Sequence, residues 1–349
     1  MEDARQTTDG PAGHTSARAR ARVAHSLPRC GTSANVERYV QVLLLNGTME
    51  FIAEEFVQKK MLPRPFKAAL GVAPSGQQCL ILEHPVALAR YISFVKSRAT
   101  SQGLDILLRG QDKDHPGMKP ALFRGGDAQR AVQRAGAYAE LIAESPALLG
   151  YGRFRRSNMG ALLQHYGIRT PWLDLVDNLY TATWFSQHTR CGGDTDRPWF
   201  VDSKEDHAWI YVIAVRADFG SSGLKCLDLR KHHSSMNVRL HAQHGLAAAS
   251  QEDFEPIVQF DYAEAVVTRI RLPRNKDFAV TGALARSSFL FPDSDIDESL
   301  NILLESDIGD LLTRIERSHG LEYRELGRVD RYRRRRPRTS RLHGAPAHN

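Results

Sequence analysis

The sequence predicts a mixed α+β fold: a mixed sheet core flanked by helices, with an N-terminal helical extension and disordered tails. Two observations carry this. Strand-like apolar runs alternate with helical stretches unevenly, without the rhythm of repeated βαβ units. There is also neither an internal repeat nor a glycine-rich phosphate fingerprint. At 349 residues, with 42% hydrophobic and 25% charged residues, the chain can bury a sizeable core.

Residues 1–34 are rich in Ala, Arg, Thr, Gly and Ser without apolar period, which predicts a disordered basic leader. From Val36 to Met61 apolar residues recur at helical spacing (Val36, Tyr39, Val40, Leu43, then Phe51, Ile52, Phe56), with a break at Gly47. Residues 35–77 are therefore read as a helical extension closed by Pro63–Lys67. Gln78–His84 reads as a strand, and Pro85 opens a helix reaching Val95, since proline suits the first helical position. Asp105–Gln111 is apolar and then abruptly polar, like a strand ending in a cleft. Asp127–Ser145 is an amphipathic helix stopped by Pro146, and Met159–Tyr166 a short helix ended by Gly167.

Asn178–Thr189 follows as a helix with Asn178 as its N-cap. Ala208–Val215 is the strongest strand signal, an almost continuous apolar run. Asn237–Gln243 alternates, with Val238, Leu240 and Ala242 on one face and Arg239, His241 and Gln243 on the other, which predicts a strand. Ala263–Leu272 is another strand, and helices follow at Asn275–Arg286 and Ile296–Ser318. Residues 306–327 are read as the C-terminal helical part and 328–349 as a disordered arginine-rich tail.

The net charge of +7 belongs to the ends: residues 1–32 carry +2 and residues 328–349 carry +7, leaving −2 on the rest. The tail offers nonspecific, salt-sensitive contact with nucleic acid, or is a solvated end. No apolar run approaches the ~18 residues of a spanning helix. No apolar h-region follows the N-terminal arginines, so a secretory signal is not expected. Cys30, Cys79, Cys191 and Cys226 are scattered, without metal-type pairing, and a reducing cytoplasmic setting is the expectation. His232, His233, His241 and His244 lie close in sequence, yet their spacing matches no recognised metal site, so no metal is expected.

Three polar clusters interrupt apolar elements. Arg109-Gly110-Gln111 ends a strand; the arginine suits a phosphate or carboxylate, and the glycine would admit a ligand to the backbone. A structural ion pair at a strand end explains the same letters. The stretch from Gln164 to Leu175, QHYGIRTPWLDL, holds His165, Tyr166, Thr170 and Asp174 around a turn at Pro171. It reads equally as an active-site loop or as a polar turn in which His165 favours a helix C-terminus. Arg239, His241 and Gln243 form the third cluster, a hydrogen-bonding face or a solvated one.

Taken in order, these clusters resemble the FRG-domain family, named for a Phe/Tyr-Arg-Gly motif. ILLRGQDKDHPGMKPALFR (Ile106–Arg124), QHYGIRTPWLDLVDNLYTATWFS (Gln164–Ser186), RLHAQHGL (Arg239–Leu246) and SSFLFPDSD (Ser287–Asp295) carry the resemblance, across about residues 78–305. Leu108 stands where the naming aromatic would be, and Val176 where a Thr would follow Leu-Asp. LFRG at Leu122–Gly125 shares the letters but follows the Pro120 turn. A weaker similarity is to ADP-ribosyltransferases of the Arg–Ser–Glu type, through the strand-ending Arg-Gly and the A-x-x-F helix at Ala182–Phe185. That similarity implies an ADP-ribosyltransferase-like fold and NAD as substrate. It also implies a toxin or defence effector acting on a macromolecular acceptor.

On this reading Arg109 anchors NAD, Gly110, Gln111, Thr170, Arg239 and His241 line the site, and Tyr166 or Trp172 stacks on nicotinamide. Gln243 falls where those enzymes place a catalytic Glu; it could hold ribose hydroxyls but would stabilise developing positive charge far less. Asp174 is then the compensating acid, and His165 the acid–base group. The alternatives are a non-enzymatic module for a nucleotide or nucleic acid, and a hydrolase of a nucleotide or RNA with His165 or His241 as general base. Convergence of Arg109, Asp174 and Gln243 on one pocket separates a site from unrelated polar turns.

Overall fold

The computed structural model describes Met49 and residues 51–149, 158–193, 198–216, 224–250, 261–278 and 286–327. Its frame is an eight-stranded mixed sheet with order β1-β2-β10-β7-β3-β4-β9-β8. The strands are β1 (Ala68–Val72), β2 (Gln78–Leu82), β3 (Leu104–Gln111), β4 (Leu173–Val176), β7 (His207–Arg216), β8 (Leu224–Asp228), β9 (Gly245–Ser250) and β10 (Val266–Pro273). All neighbours run antiparallel except β2 and β10. Strands β5 (His188–Gly193) and β6 (Pro198–Asp202) pair only with each other, as a hairpin beside the sheet.

The central strands β3 and β7 pair over eight residues, from Leu104↔Arg216 to Gln111↔Trp209. Because strand side chains alternate, their near-continuous apolar runs supply both faces of the sheet. Ile106, Leu108, Ile210 and Val212 pack under helix α2 (Pro85–Thr100) with Tyr91 and Val95. Leu107, Trp209, Tyr211 and Ile213 belong to the opposite face, with Leu173 and Leu175 of β4. A third core gathers helices α3 (Ala128–Leu149), α4 (Met159–His165), α9 (Glu298–Glu305) and α10 (Ile308–Ser318). The other helices are α1 (Ile52–Gln58), α5 (Leu179–Gln187), α6 (Leu229–His232), α7 (Val238–Ala242) and α8 (Ser287–Leu290).

Several local expectations change. Asn237–Gln243 forms no strand: α7 is closed by Leu240 N–H to Asn237 O and Gln243 N–H to Arg239 O. Alternation over so few residues misled because Arg239, assigned to the polar face, is itself buried. Helix α3 continues past Pro146 to Leu149; the proline falls in the last turn, where one missing hydrogen bond does not propagate. The helix expected over Ile296–Ser318 divides at Ser306, whose extended backbone separates α9 from α10. The 35–77 segment holds α1 and also β1, an edge strand of the main sheet. Most of Asn275–Arg286, the leader and the arginine-rich tail lie outside the described residues. No helix among the described residues is long and apolar enough to cross a membrane.

Candidate functional site

β3 and β4 meet at one residue pair, Leu108↔Val176, and beyond it the two strands splay. A cavity of about 240 Å³ occupies the fork, lined by Arg109, His165, Asp174, Gln164 and Gln243 with Phe185, Phe200 and Phe291. Three of the residues predicted from separate clusters, Arg109, Asp174 and Gln243, therefore share one pocket, and His165 joins them.

Each is positioned by local chemistry. Arg109 alternates to the face away from α5, and its Nη1 donates across the fork to the Asp174 carbonyl at 2.5 Å. Its Nε also donates to the Gln111 carboxamide oxygen. Burial, reinforced by the charge of Arg124 and opposed by Asp174, pulls its guanidinium down to about 10. It stays a cation at neutral pH, but one whose charge would be relieved by an arriving anion.

His165 ends α4, which Gly167 terminates at φ +92°. The imidazole is only 3% exposed, and its Nδ1 lies 3.1 Å from Gln243 Oε1. Gln243 Nε2 donates to the Leu290 carbonyl at 2.7 Å. A carbonyl can only accept, so this bond orients the amide and turns its oxygen toward His165. The proton of that contact then belongs to Nδ1, leaving Nε2 facing the pocket. Nε2 stands 3.5 Å from Asp174 Oδ1, and neither atom has a hydrogen-bond partner among the described residues although both are buried. The other carboxylate oxygen of Asp174 accepts from Gln164 Nε2 at 3.3 Å. Thr170 in turn donates to Gln164 Oε1 at 2.5 Å.

Of the remaining predicted residues only Gly110 lines the pocket; Gln111, Tyr166, Thr170, Arg239 and His241 lie outside its lining. Tyr166, expected to touch ligand, is fully buried, and its hydroxyl donates to Asp297 at 3.0 Å. Burial and the Asp297 charge push this phenol well above its ordinary range, so it remains a donor. Arg239 stacks over the Tyr166 ring at 5.0 Å and donates to the His165 carbonyl at 3.3 Å, behind the imidazole. His241 approaches the Ser234 carbonyl at 3.3 Å, away from the pocket lining. Thr170 and Trp172 are buried, so Trp172 offers no stacking face. Gly110 lines the pocket, and the missing side chain also seats a helix: a Cβ there would lie 2.0 Å from the Ala182 carbonyl of α5 and 2.8 Å from the Ser186 nitrogen.

The aromatic wall escaped the sequence reading, since Phe185, Phe200 and Phe291 come from α5, β6 and the segment after α8. Phe200 and Phe291 lie 4.6 Å apart and Phe185 and Phe291 6.0 Å apart. The A-x-x-F spacing was a hint for Phe185, and the SSFLFPDSD motif contained Phe291, but nothing pointed to Phe200. No group of three His, Cys, Asp or Glu side chains among the described residues could hold a metal ion.

Residues 105–194 match the FRG domain family. No curated protein matches the chain. No solved structure matches it either. The matched span is narrower than the 78–305 over which the motifs were read. It supplies Arg109, His165, Asp174 and Phe185, while Gln243, Phe200 and Phe291 come from beyond it. The stretch similar to the FRG domain includes the Arg109-Gly110 pair at the end of β3.

Proposed function

We propose that the β3–β4 fork binds the ribose-and-base end of a nucleotide, with NAD the favoured ligand. The observation that carries this is the facing pair of buried, unpartnered atoms, His165 Nε2 and Asp174 Oδ1. Two acceptors 3.5 Å apart call for donors presented to them from the pocket, or for a proton on the imidazole that pairs it with the carboxylate. A ribose hydroxyl or an attacking hydroxyl supplies such a donor. The phenylalanine wall suits a flat base. A cavity of 240 Å³ falls below the roughly 300–1,000 Å³ of sites that enclose a drug-sized ligand, so it takes one end of a dinucleotide.

The chemistry that fits is cleavage of the nicotinamide–ribose bond, as in ADP-ribosyl transfer. Nicotinamide leaves with the bonding electron pair, and positive charge develops on the ribose. The Asp174 carboxylate stabilises that charge. A nucleophile, water or a group on a macromolecular acceptor, forms the new bond to the sugar and gives its proton to His165 Nε2. Gln243 serves by holding Nδ1–H, so a neutral glutamine is adequate in its place. Arg109 donates to the ribose oxygens.

The test is calorimetric titration with NAD, ADP-ribose and adenosine, alongside chromatographic detection of nicotinamide. The reading expects binding that weakens at least about tenfold in His165→Ala and Arg109→Ala, and nicotinamide release that disappears in Asp174→Asn. No binding of any of the three, or binding indifferent to both substitutions, would sink it. Binding without release leaves the nucleotide reading and removes the enzyme.

A further inference from the structure

A second cavity, of about 970 Å³, lies beside the first, and Phe200 lines both. Its walls come from the end of α5, the β5–β6 hairpin, the residues after β10 and the start of α8. Neither the family resemblance nor the inner pocket accounts for it. Its chemistry is lopsided toward donors. Gln187 is 6% exposed, and its Nε2 is a buried atom without a hydrogen-bond partner among the described residues. Arg274 Nε is buried and likewise unpartnered.

The rest of the Arg274 guanidinium is fixed. Nη1 donates to the Gln187 carbonyl at 2.9 Å, and Nη2 to the carbonyls of Asp112 at 2.7 Å and His207 at 3.1 Å. Three chain segments thus hold this cation in place, with Nε left over. Arg286, Ser287 and Ser288 are exposed along the same groove and add a guanidinium and two hydroxyls. Among the described residues the one acid in the lining is Asp202, nearly fully exposed and 3.6 Å from His188 Nε2.

Unpartnered buried donors cost free energy that only an acceptor returns. Phosphate oxygens accept without donating, and paired guanidinium groups suit them. From these donors and the shared Phe200 wall we infer that this groove binds the phosphate groups of the nucleotide whose base and ribose occupy the inner pocket. This rests on the nucleotide reading above. It extends that reading to a ligand of two parts, bent around Phe200, with its pyrophosphate against Gln187, Arg274 and Arg286.

The experiment uses the full chain and three probes: inorganic pyrophosphate, ADP and adenosine, titrated calorimetrically. Arg286→Ala changes an exposed side chain, and Gln187→Leu removes the unpartnered donor; thermal melting checks that both fold. The expected result is that pyrophosphate binds and that ADP binds about tenfold tighter than adenosine. Both substitutions should erase that margin and weaken pyrophosphate while leaving adenosine unchanged, and Asp174→Asn should leave pyrophosphate unchanged. Equal affinity for ADP and adenosine, or pyrophosphate binding indifferent to both substitutions, overturns the groove. Pyrophosphate binding with no adenosine binding, and with NAD affinity indifferent to His165→Ala and Arg109→Ala, keeps the groove as an anion site and overturns the inner-pocket reading instead.

Discussion

Two polar clusters flank the central strands, and each is built from an arginine, an aspartate and a ring. Around Tyr211, the cluster is closed. Asp114 accepts from the Tyr211 hydroxyl at 2.9 Å and from the Ser75 amide at 2.8 Å. Arg269, stacked 5.0 Å over the Tyr211 ring, donates to Gln77 at 3.0 Å, to the His115 carbonyl at 3.0 Å and to the Pro116 carbonyl at 3.2 Å. Both charged side chains are about 2% exposed or less. Around His165, the cluster is open: among the described residues Nε2 and Asp174 Oδ1 face each other without a hydrogen-bond partner, and the other Asp174 oxygen accepts from Gln164. Closed clusters hold a loop, here the turn from Asp114 to Pro116. An open one stores unmet hydrogen-bonding capacity at a cavity, which is what a binding site requires.

Substitutions can break this contrast. Asp114→Ala should lower stability the most, by about 3–5 kcal/mol, because it strands the buried Arg269 charge. Chemical denaturation would measure it, and a loss under about 1 kcal/mol would show that the cluster is not closed in solution. Gly110→Ala tests the joint between the two clusters, since its Cβ would collide with α5 backbone. A cost of about 1–3 kcal/mol is expected, with weaker ligand binding as α5 is displaced. Asp174→Asn should have the smallest effect on stability, within about 0.5 kcal/mol, while abolishing turnover. If its melting shift matched that of Asp114→Ala, Asp174 would be a structural residue and the contrast would vanish.

Much of the frame was legible in the sequence. The apolar runs of β3 and β7 are long and unbroken, so period and length alone identified them. Asn178, which accepts from the Thr181 amide at 3.0 Å, and Gly167 marked helix ends through side-chain and backbone chemistry that is local. Tertiary facts stayed hidden. Nothing near Tyr166 announces that Asp297, far along the chain, takes its hydroxyl and also caps α9 through the Leu300 amide. The same holds for Arg239, whose backbone amide binds Asp297 at 3.0 Å. These residues have the letters of an active site and the surroundings of a core. Arg109, His165 and Asp174 were legible because a strand end, a helix end and the strand start after the Pro171 turn place them locally. Which of their neighbours are aromatic depends on chain segments that only folding brings together.

The contact at Gly110 has a consequence for length rather than for charge. Backbone of α5 rests directly on this residue, with no side chain between to act as a spacer. Arg109, one residue before it, and Phe185, one residue before Ser186, are therefore gauged against each other by main-chain thickness alone. Main-chain dimensions do not vary with sequence. The arginine and the glycine thus form one device, the first setting the charge and the second setting how far away the ring stands.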